Sequence, residues 1–251
     1  MSQRNAKYFR LEKEKHAVLK NPKVREDRIL NTIKKDLQLA EIPIHIECFD
    51  NSNLQGSMPV AACVVFKNAK PLKKEYRHYN IKTVEGPDDF ASMEEVVYRR
   101  YKRLINENSQ LPQLIVIDGG KGQLSSAVKA LEKLELRGKI SIIGIAKRLE
   151  EIYFPGDSVP IYINKNSETL KIIQYLRDEA HRFGITFHRN KRSKAFISSE
   201  LNAIKGIGEK TAQALLKDFK SVKNIKNQNV ERLSESVGQA KAKVIYNHYH
   251  K

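Results

Sequence analysis

The sequence predicts an α/β protein in which helices flank a mixed β-sheet, followed by a small all-helical domain. Between residues 42 and 190, short apolar runs typical of buried strands alternate with amphipathic helix patterns. Between residues 197 and 251, a helix, hairpin, helix pattern occurs in two copies. We therefore divide the chain into a charged helical lead-in over 1–41, an α/β domain over 42–190 and a helical domain over 197–251.

The composition favours a polyanionic partner. Against 29 Asp and Glu the chain carries 46 Lys and Arg, a net charge of +17. Such an excess suits nucleic acid first and an anionic membrane surface second. No apolar run approaches the roughly 18 residues of a spanning helix, and the N-terminus has no secretory-signal pattern. Cys48 and Cys63 lie inside apolar strand patterns, so we expect buried, reduced thiols and a cytoplasmic protein.

The first elements predicted are a helix and an antiparallel meander. Apolar positions recur at helical spacing over 25–39. Three apolar or alternating runs, joined by short turns, then predict three strands. These strands cover 42–50, 59–66 and 74–81.

Strands and helices alternate after the meander. A Gly-Pro break precedes Asp88 and Asp89, where an acid suits the cap of a helix extending to about residue 106. The predicted outer face of that helix carries Arg99, Arg100, Lys102 and Arg103. The remaining predicted elements are a buried strand over 114–118, a helix over 123–136, a strand over 141–147, a hairpin over 150–163 and a helix over 167–188. Basic residues over 189–194 then predict the domain boundary.

Two acids end predicted buried strands, Asp50 on the first strand and Asp118 on the fourth. The glycine-rich turn after Asp118 fits neither GxGxxG nor GxxxxGK[ST], which argues against a phosphate loop. The helical crossover after the meander suggests that these two strands are neighbours, so the carboxylates lie close together at the sheet edge where ligands bind. Neighbouring carboxylates repel unless they share a hard cation, so we predict a cation site. The alternative is that each acid only caps a turn.

The long helix over 167–188 supplies a third polar group. Asp178 and His181 are three residues apart and share a helix face beside the apolar stripe. We expect this face to point toward the two aspartates. For His181 alone, an ordinary surface or core histidine is the alternative.

The tail pattern suits phosphate binding. In the first copy, Gly206-Ile207-Gly208 forms a hairpin before a helix, which offers backbone N–H groups and a positive helix end to a phosphate oxygen. The second copy has Ser236 where the first has Gly206. Side chains expected to add DNA contacts are Lys205, Lys210 and Thr211 in the first copy and Lys241 and Lys243 near Gly238 in the second. In the α/β domain, Lys121, Lys147 and Arg148 are phosphate-contact candidates or solvated surface charges. A protein-binding helical hairpin is the alternative for the tail.

Several motifs occur in an order typical of one family. They are Cys48-Phe49-Asp50 with Gln55-Gly56, Val60 to Phe66, Tyr76-Arg77, Asp88 to Met93, Ile117 to Gln123 and Arg177 to Gly184. Over residues 42–251 the chain resembles the C-terminal half of the UvrC family, the excinuclease ABC nucleases of bacterial nucleotide excision repair. One departure is visible, because the family often has Asp-Ile-Ser-His where this chain has Asp50-Asn51-Ser52-Asn53.

The resemblance implies an RNase H-like nuclease domain followed by a tandem helix-hairpin-helix domain. It implies that Asp50, Asp118 and His181 are catalytic and hold Mg²⁺ or Mn²⁺, with Asp89, or Asp88 beside it, as a further acid. The implied reaction is incision 5′ to a lesion in damaged double-stranded DNA, with UvrB as partner and UvrA acting upstream. The family's N-terminal nuclease domain and UvrB-contact segment are not recognised in this chain, so we expect a fragment with weak activity alone. The alternatives are a non-catalytic DNA-binding module and an RNase H or resolvase acting on another nucleic acid.

Overall fold

The structure is a computed structural model. It describes residues 8–9, 21–52, 60–84, 86, 88–146 and 151–250, without the side chains of residue 52 and residues 188–199. The chain divides into two compact units, Met1–Ile185 and Thr186–Lys251. Among the described residues, no helix is long and apolar enough to cross a membrane.

The first unit contains a mixed sheet with helices on both faces. Its strands are β1 (His45–Ser52), β2 (Val60–Lys67), β3 (Lys70–Pro71), β4 (Arg77–Asn80), β5 (Leu114–Ile117), β6 (Ser141–Ala146) and β7 (Glu151–Tyr153). Its helices are α1 (Pro22–Asp36), α2 (Asp89–Asn106), α3 (Lys121–Lys133) and the first part of α4 (Glu168–Asn202), with a 3₁₀ turn at Lys73–Glu75. The mixed α/β class predicted from the sequence is confirmed.

The strand order is β3-β2-β1-β5-β6-β7, with β4 also paired to β2. Strand β1 is antiparallel to β2 and parallel to β5, and β5 is parallel to β6. The first and fourth predicted strands are therefore neighbours, as the helical crossover indicated. Their carboxyl ends meet at one edge of the sheet.

Residues on the two faces of the sheet pack into separate cores. On one face, Phe49 and Ile117 pack with Met93 and Tyr101 of α2 and with Leu131 of α3. The other face is covered by α1 and α4, whose buried side chains include Ile33, Ile173, Leu176 and Ala180. Because strand side chains alternate between faces, Cys48 and Asp50 lie on the α4 side and Phe49 lies on the other.

Four features differ from the sequence prediction. The third strand is shorter than 74–81, because the 3₁₀ turn occupies its start. The second strand of the hairpin over 150–163 is reduced to one bridge, between Ile152 and Ile161. Arg100 is buried at 6% exposure, although it was predicted on the outer face of α2. Finally, α4 continues through the basic segment to Asn202, because residues 186–202 contain no Gly or Pro and many good helix formers.

The second unit is helical and has its own core. After the end of α4 it contains α5 (Glu209–Phe219), α6 (Val222–Lys226), α7 (Val230–Val237) and α8 (Gln239–Tyr249). Leu201, Ile207, Leu215, Leu233 and Ile245 from the four longer elements and the hairpin are buried together. The predicted pair of helix, hairpin, helix repeats is present, with α4 and α5 in the first and α7 and α8 in the second.

Candidate functional site

Asp50 and Asp118 occupy neighbouring positions at the carboxyl ends of β1 and β5. The parallel register pairs Phe49 with Ile117, and the Asp118 N–H donates to the Phe49 carbonyl at 2.9 Å, which extends the ladder by one residue. Both aspartates are buried, at 1% and 3% exposure. Burial raises the pKa of the Cys48 thiol, and the negative charges of Asp118 and Asp50 raise it further. The charges of both carboxylates therefore reach the same buried side chain, that of Cys48. Cys48 is a free thiol and stays protonated.

Helix α4 brings His181 to Asp50. The His181 Nδ1 lies 3.2 Å from Asp50 Oδ2, while 53% of the histidine side chain is exposed. A buried carboxylate is thus joined to a ring that reaches solvent. The other polar residue predicted on this face, Asp178, is exposed and pairs with Arg177 at 3.1 Å.

An aromatic clamp, formed by Tyr76, His78, Glu179 and Phe183, fixes the helical turn that carries His181. The Tyr76 hydroxyl donates to Glu179 Oε1 at 3.2 Å, and the His78 ring stacks on Phe183 with centroids 3.6 Å apart. The Arg182 guanidinium donates twice to Glu179, each time at 2.7 Å. This hydrogen bonding lowers the pKa of Glu179 below its usual range, although burial opposes the shift.

Asp50 and the clamp residue His78 belong to one transverse row of the sheet. Asp50 pairs with Ala62 of β2, and Ala62 pairs with His78 of β4. Directly opposed residues project from the same face, so α4 contacts this row at two points, through His181 and through Phe183. Sequence reasoning missed the clamp because its partners are about 100 residues apart and only the strand register reveals them.

A cleft of about 850 Å³ opens beside Asp118. Its lining includes Asp118, the glycine turn that follows, Asn51 and the start of α2 with Asp88, Asp89 and Phe90. The Asp88 carboxylate caps α2 by accepting from the Phe90 and Ala91 N–H groups, both at 2.9 Å. Asp89 has an exposed side chain, and its carbonyl accepts from the Asn51 side-chain amide at 2.8 Å. Of the two neighbouring acids, Asp88 therefore has a defined structural role.

Packing explains two glycines near this cleft. A Cβ at Gly144 would lie 2.9 Å from the Gly119 carbonyl oxygen, so β6 approaches the turn too closely for a side chain. A Cβ at Gly122 would lie 2.4 Å from the Phe90 ring. Close packing thus accounts for Gly122 in the turn and for Gly144 on β6.

The basic residues predicted near the site are only partly described. The Lys121 ammonium lies 5.0 Å from the centroid of the Tyr153 ring and donates to the Ser158 carbonyl. Lys121 also borders the cleft. Lys147 and Arg148 lie outside the described residues.

The donor groups suit a hard divalent cation. Two buried carboxylates on adjacent strands, with an imidazole touching one of them, provide oxygen and nitrogen ligands that Mg²⁺ or Mn²⁺ accepts. In the described ranges, no three His, Cys, Asp or Glu side chains are arranged closely enough to hold a metal ion. The chemistry of the donor atoms fits a divalent cation, but the complete ligand set of Asp50, Asp118 and His181 stays a prediction.

In the second unit, the helices that follow the two hairpins begin without a side-chain cap. Gly208 and Gly238 are the N-cap residues of α5 and α8, whereas Ser221 and Asn229 cap α6 and α7 through their side chains. An uncapped helix start presents backbone N–H groups to an anion. Gly206 and Gly238 have φ values of +88° and +82°, so these turns require glycine.

The structure separates the predicted DNA-contact residues of this unit into two groups. Lys205, Gly206, Gly208, Lys210, Gly238 and Lys243 are exposed. Ile207 is buried in the core, and Thr211 is also buried. Lys241 is exposed, and its ammonium donates to the Thr211 hydroxyl at 3.0 Å, which joins the two repeats to each other. These last three residues thus make contacts within the protein.

The sheet order, the acids at the ends of its two central parallel strands and the histidine on α4 define an RNase H-like nuclease fold, joined to a helix-hairpin-helix unit. Residues 34–185 match the family model described as the UvrC RNase H endonuclease domain, and residues 198–249 match a SAM-like helix-hairpin-helix tandem. The chain belongs to the UvrC family, which confirms the resemblance inferred from the sequence motifs.

Relatives named UvrABC system protein C match along the whole chain. The protein from Christiangramia forsetii is 65% identical over 100% of this chain, and that from Flavobacterium psychrophilum is 63% identical over 100%. The Bacteroides thetaiotaomicron protein is 51% identical over 96%. The chain spans only 42% of the length of the first two.

Among solved structures, an Endonuclease V from Ciona intestinalis bound to inosine-containing DNA aligns with a TM-score of 0.33 and 20% identity. That alignment covers 61% of this chain and 65% of the other.

Proposed function

We propose that this chain is the part of a nucleotide excision repair nuclease that makes the incision 5′ to a lesion in damaged double-stranded DNA. The observation that carries the proposal is the contact between His181 and the buried Asp50, beside Asp118 at the end of the next parallel strand. Membership of the UvrC family and the match to its endonuclease domain support it.

In the proposed site, Asp50 and Asp118 would hold Mg²⁺ or Mn²⁺, with His181 as a further ligand or as a proton-transfer group. When bound, the cation would lower the pKa of a water molecule that it coordinates and would offset the negative charge on the scissile phosphate. Asp50 orients the imidazole by accepting at its Nδ1, which leaves Nε2 for proton exchange at the exposed side of the ring. Asp89 is proposed as a further acid of the same cleft, and Lys121 as a phosphate contact at its border.

The helical unit is proposed to bind the DNA backbone. Its two uncapped helix starts, with Lys205, Lys210 and Lys243 exposed, offer neutral and charged donors to phosphates without reading the base sequence. We propose 42–190 as the nuclease domain and 197–251 as this DNA-binding domain. Residues Lys147 and Arg148 remain proposed contacts outside the described part of the chain.

The proposed partners are UvrB, which presents the damaged DNA, and UvrA upstream of it, in the bacterial cytoplasm. The relatives' shared name, UvrABC system protein C, supports this assembly. Because the chain spans two fifths of those relatives, lesion-specific cutting is assigned to the longer parent protein. Robust lesion-specific incision by the isolated chain would contradict this division of roles.

The test uses the full-length parent, its partner proteins and a damaged duplex already nicked 3′ to the lesion, with Mg²⁺ or Mn²⁺. We expect the wild type to cut 5′ to the lesion and Asp118→Asn to lose cutting while still binding DNA in a gel-shift assay. Normal cutting by Asp118→Asn would instead support the non-catalytic DNA-binding module, in which the acids are structural.

A further inference from the structure

Phe90 is an exposed aromatic residue in the cleft that is lined by two of the proposed catalytic acids, Asp118 and Asp89. Its side chain lies at the start of α2 and is 55% exposed. It borders the same cleft as Asp118 and Asp89. A large apolar ring in a cleft lined by carboxylates, glycines and a lysine has no role in the chemistry derived above.

The position of Phe90 on α2 explains how the ring reaches the cleft. The buried stripe of this helix passes through Met93, Val97, Tyr101 and Leu104, all of which lie in the core. Phe90 continues this stripe by one turn, at the spacing of three to four residues that keeps side chains on one helix face. At that point the core has ended, so the ring extends past it over the glycine turn.

Phe90 is also fixed in place. Asp88 caps its backbone N–H at 2.9 Å, which anchors the first turn of α2. The ring lies so close to Gly122 that a Cβ there would be 2.4 Å from it. The Cδ1–Cε1–Cζ edge of the ring therefore lies against the glycine turn, and the ring is accessible from the cleft. A supported and accessible aromatic ring is the arrangement on which nucleobases stack.

We propose that Phe90 is a stacking platform for one unstacked nucleobase next to the scissile phosphate. This inference rests on the proposed function, because the acids in the same cleft define where that phosphate lies. Near the scissile phosphate, the part of a DNA strand that can pack on an apolar ring is the flat face of a nucleobase. Stacking on Phe90 requires this base to leave its neighbours, so the site selects a strand that is locally unpaired at the cut.

The test is a cycle that combines protein variants with abasic substrates. The full-length parent and its partners cut nicked, damaged duplexes in which one nucleotide at a time around the 5′ incision lacks its base. At one position we expect base removal to lower kcat/KM of the wild type about tenfold, mainly through KM. In Phe90→Ala the same removal should change kcat/KM by less than about twofold, because the platform is already gone.

Two variants separate stacking from folding. Phe90→Tyr keeps an aromatic face and should retain the dependence on that base, whereas Phe90→Leu keeps apolar packing beside Gly122 and should lose it. Melting temperatures of both variants report whether α2 and the turn stay folded. Equal sensitivity to base removal in wild type and Phe90→Ala would overturn the proposal. If Asp118→Asn cuts normally in the same assay, the proposed function fails instead, so the two failures are distinguishable.

Discussion

Strand β1 carries two buried acids, Glu47 and Asp50, in very different surroundings. Glu47 faces the core between the sheet and α2, where it has 0% exposure. Arg100 binds both of its oxygens, at 2.5 and 3.2 Å, and the Tyr101 hydroxyl donates at 3.0 Å. His45 lies 3.3 Å from the same carboxylate. Asp50 faces the opposite side, beside another carboxylate and in contact with a half-exposed histidine.

The difference lies in what balances the charge of each acid. The charge of Glu47 is matched by a guanidinium inside the protein, and its surroundings are closed to solvent. Asp50 lies beside Asp118 at the edge of the sheet. Its other neighbour, His181, has a side chain that is half exposed to solvent. Buried acids placed side by side favour a cation, whereas a buried acid facing Arg100 forms a structural ion pair. Burial alone therefore does not distinguish the structural acid Glu47 from the proposed catalytic acid Asp50, whereas their partners differ.

The largest effect that we expect is on incision. Asp50→Asn keeps the size of the side chain but removes a charge proposed to bind the cation, so 5′ incision by the full-length parent should fall at least ~100-fold. The melting temperature should stay close to that of the wild type. A variant that melts normally and still incises at the wild-type rate would place Asp50 in the same structural class as Glu47.

The reciprocal variant, Glu47→Gln, should act on stability. It leaves the buried Arg100 without its counter-charge, which costs about 3–5 kcal/mol. Urea unfolding of the chain measures this loss. The double variant Glu47→Leu with Arg100→Met is the control, since replacing the whole pair by apolar side chains should recover most of the stability. Equal free energies of unfolding for Glu47→Gln and wild type would show that the ion pair does not stabilise the fold.

The same pair predicts a pH dependence. Burial alone would raise the pKa of Glu47, but the nearby His45 and the hydrogen bonds and charge of Arg100 hold that pKa below its usual range. Tyr101 and Cys63 also face this carboxylate. A lowered folded-state pKa stabilises the protein above the unfolded pKa, and this contribution is lost as pH falls through the folded value.

Thermal melts between about pH 5 and pH 3 test this dependence. The wild type should lose stability more steeply on acidification than the Glu47→Leu, Arg100→Met double variant. Parallel curves for the two proteins would contradict the assigned pKa shift.

The smallest expected effect concerns the aromatic clamp. Tyr76→Phe removes the hydrogen bond to Glu179 and loosens the turn that carries His181, at a cost of about 1 kcal/mol. We expect kcat for incision to fall roughly fivefold with little change in KM, because the histidine is positioned less well while DNA contacts are unchanged. Tyr175→Phe, at an exposed tyrosine on the same helix, is the matched control and should behave as wild type.

The sequence predicted the parts of this architecture that depend on local patterns. The apolar runs located β1, β2, β5 and β6, and the acid after the Gly-Pro break correctly predicted a capped α2. The crossover rule placed β1 beside β5, and thereby Asp50 beside Asp118.

Other features depend on distant partners and had no local pattern. Arg100 was predicted to be outside because arginine is usually solvated, and only its pairing with Glu47 makes burial acceptable. The clamp around His181 likewise joins β4 to α4 across the sheet. The end of α4 was mispredicted because basic residues suggested a linker, although they are also good helix formers.

The most direct test of the cation site is Mn²⁺ binding by this chain, measured by electron paramagnetic resonance without any DNA. We predict that the wild type binds Mn²⁺ and that Asp50→Asn and Asp118→Asn each lose this binding. Asp178→Asn, at an exposed acid one turn from His181, should bind as the wild type does. Equal Mn²⁺ binding by all four proteins would contradict the assignment of the two buried aspartates as metal ligands.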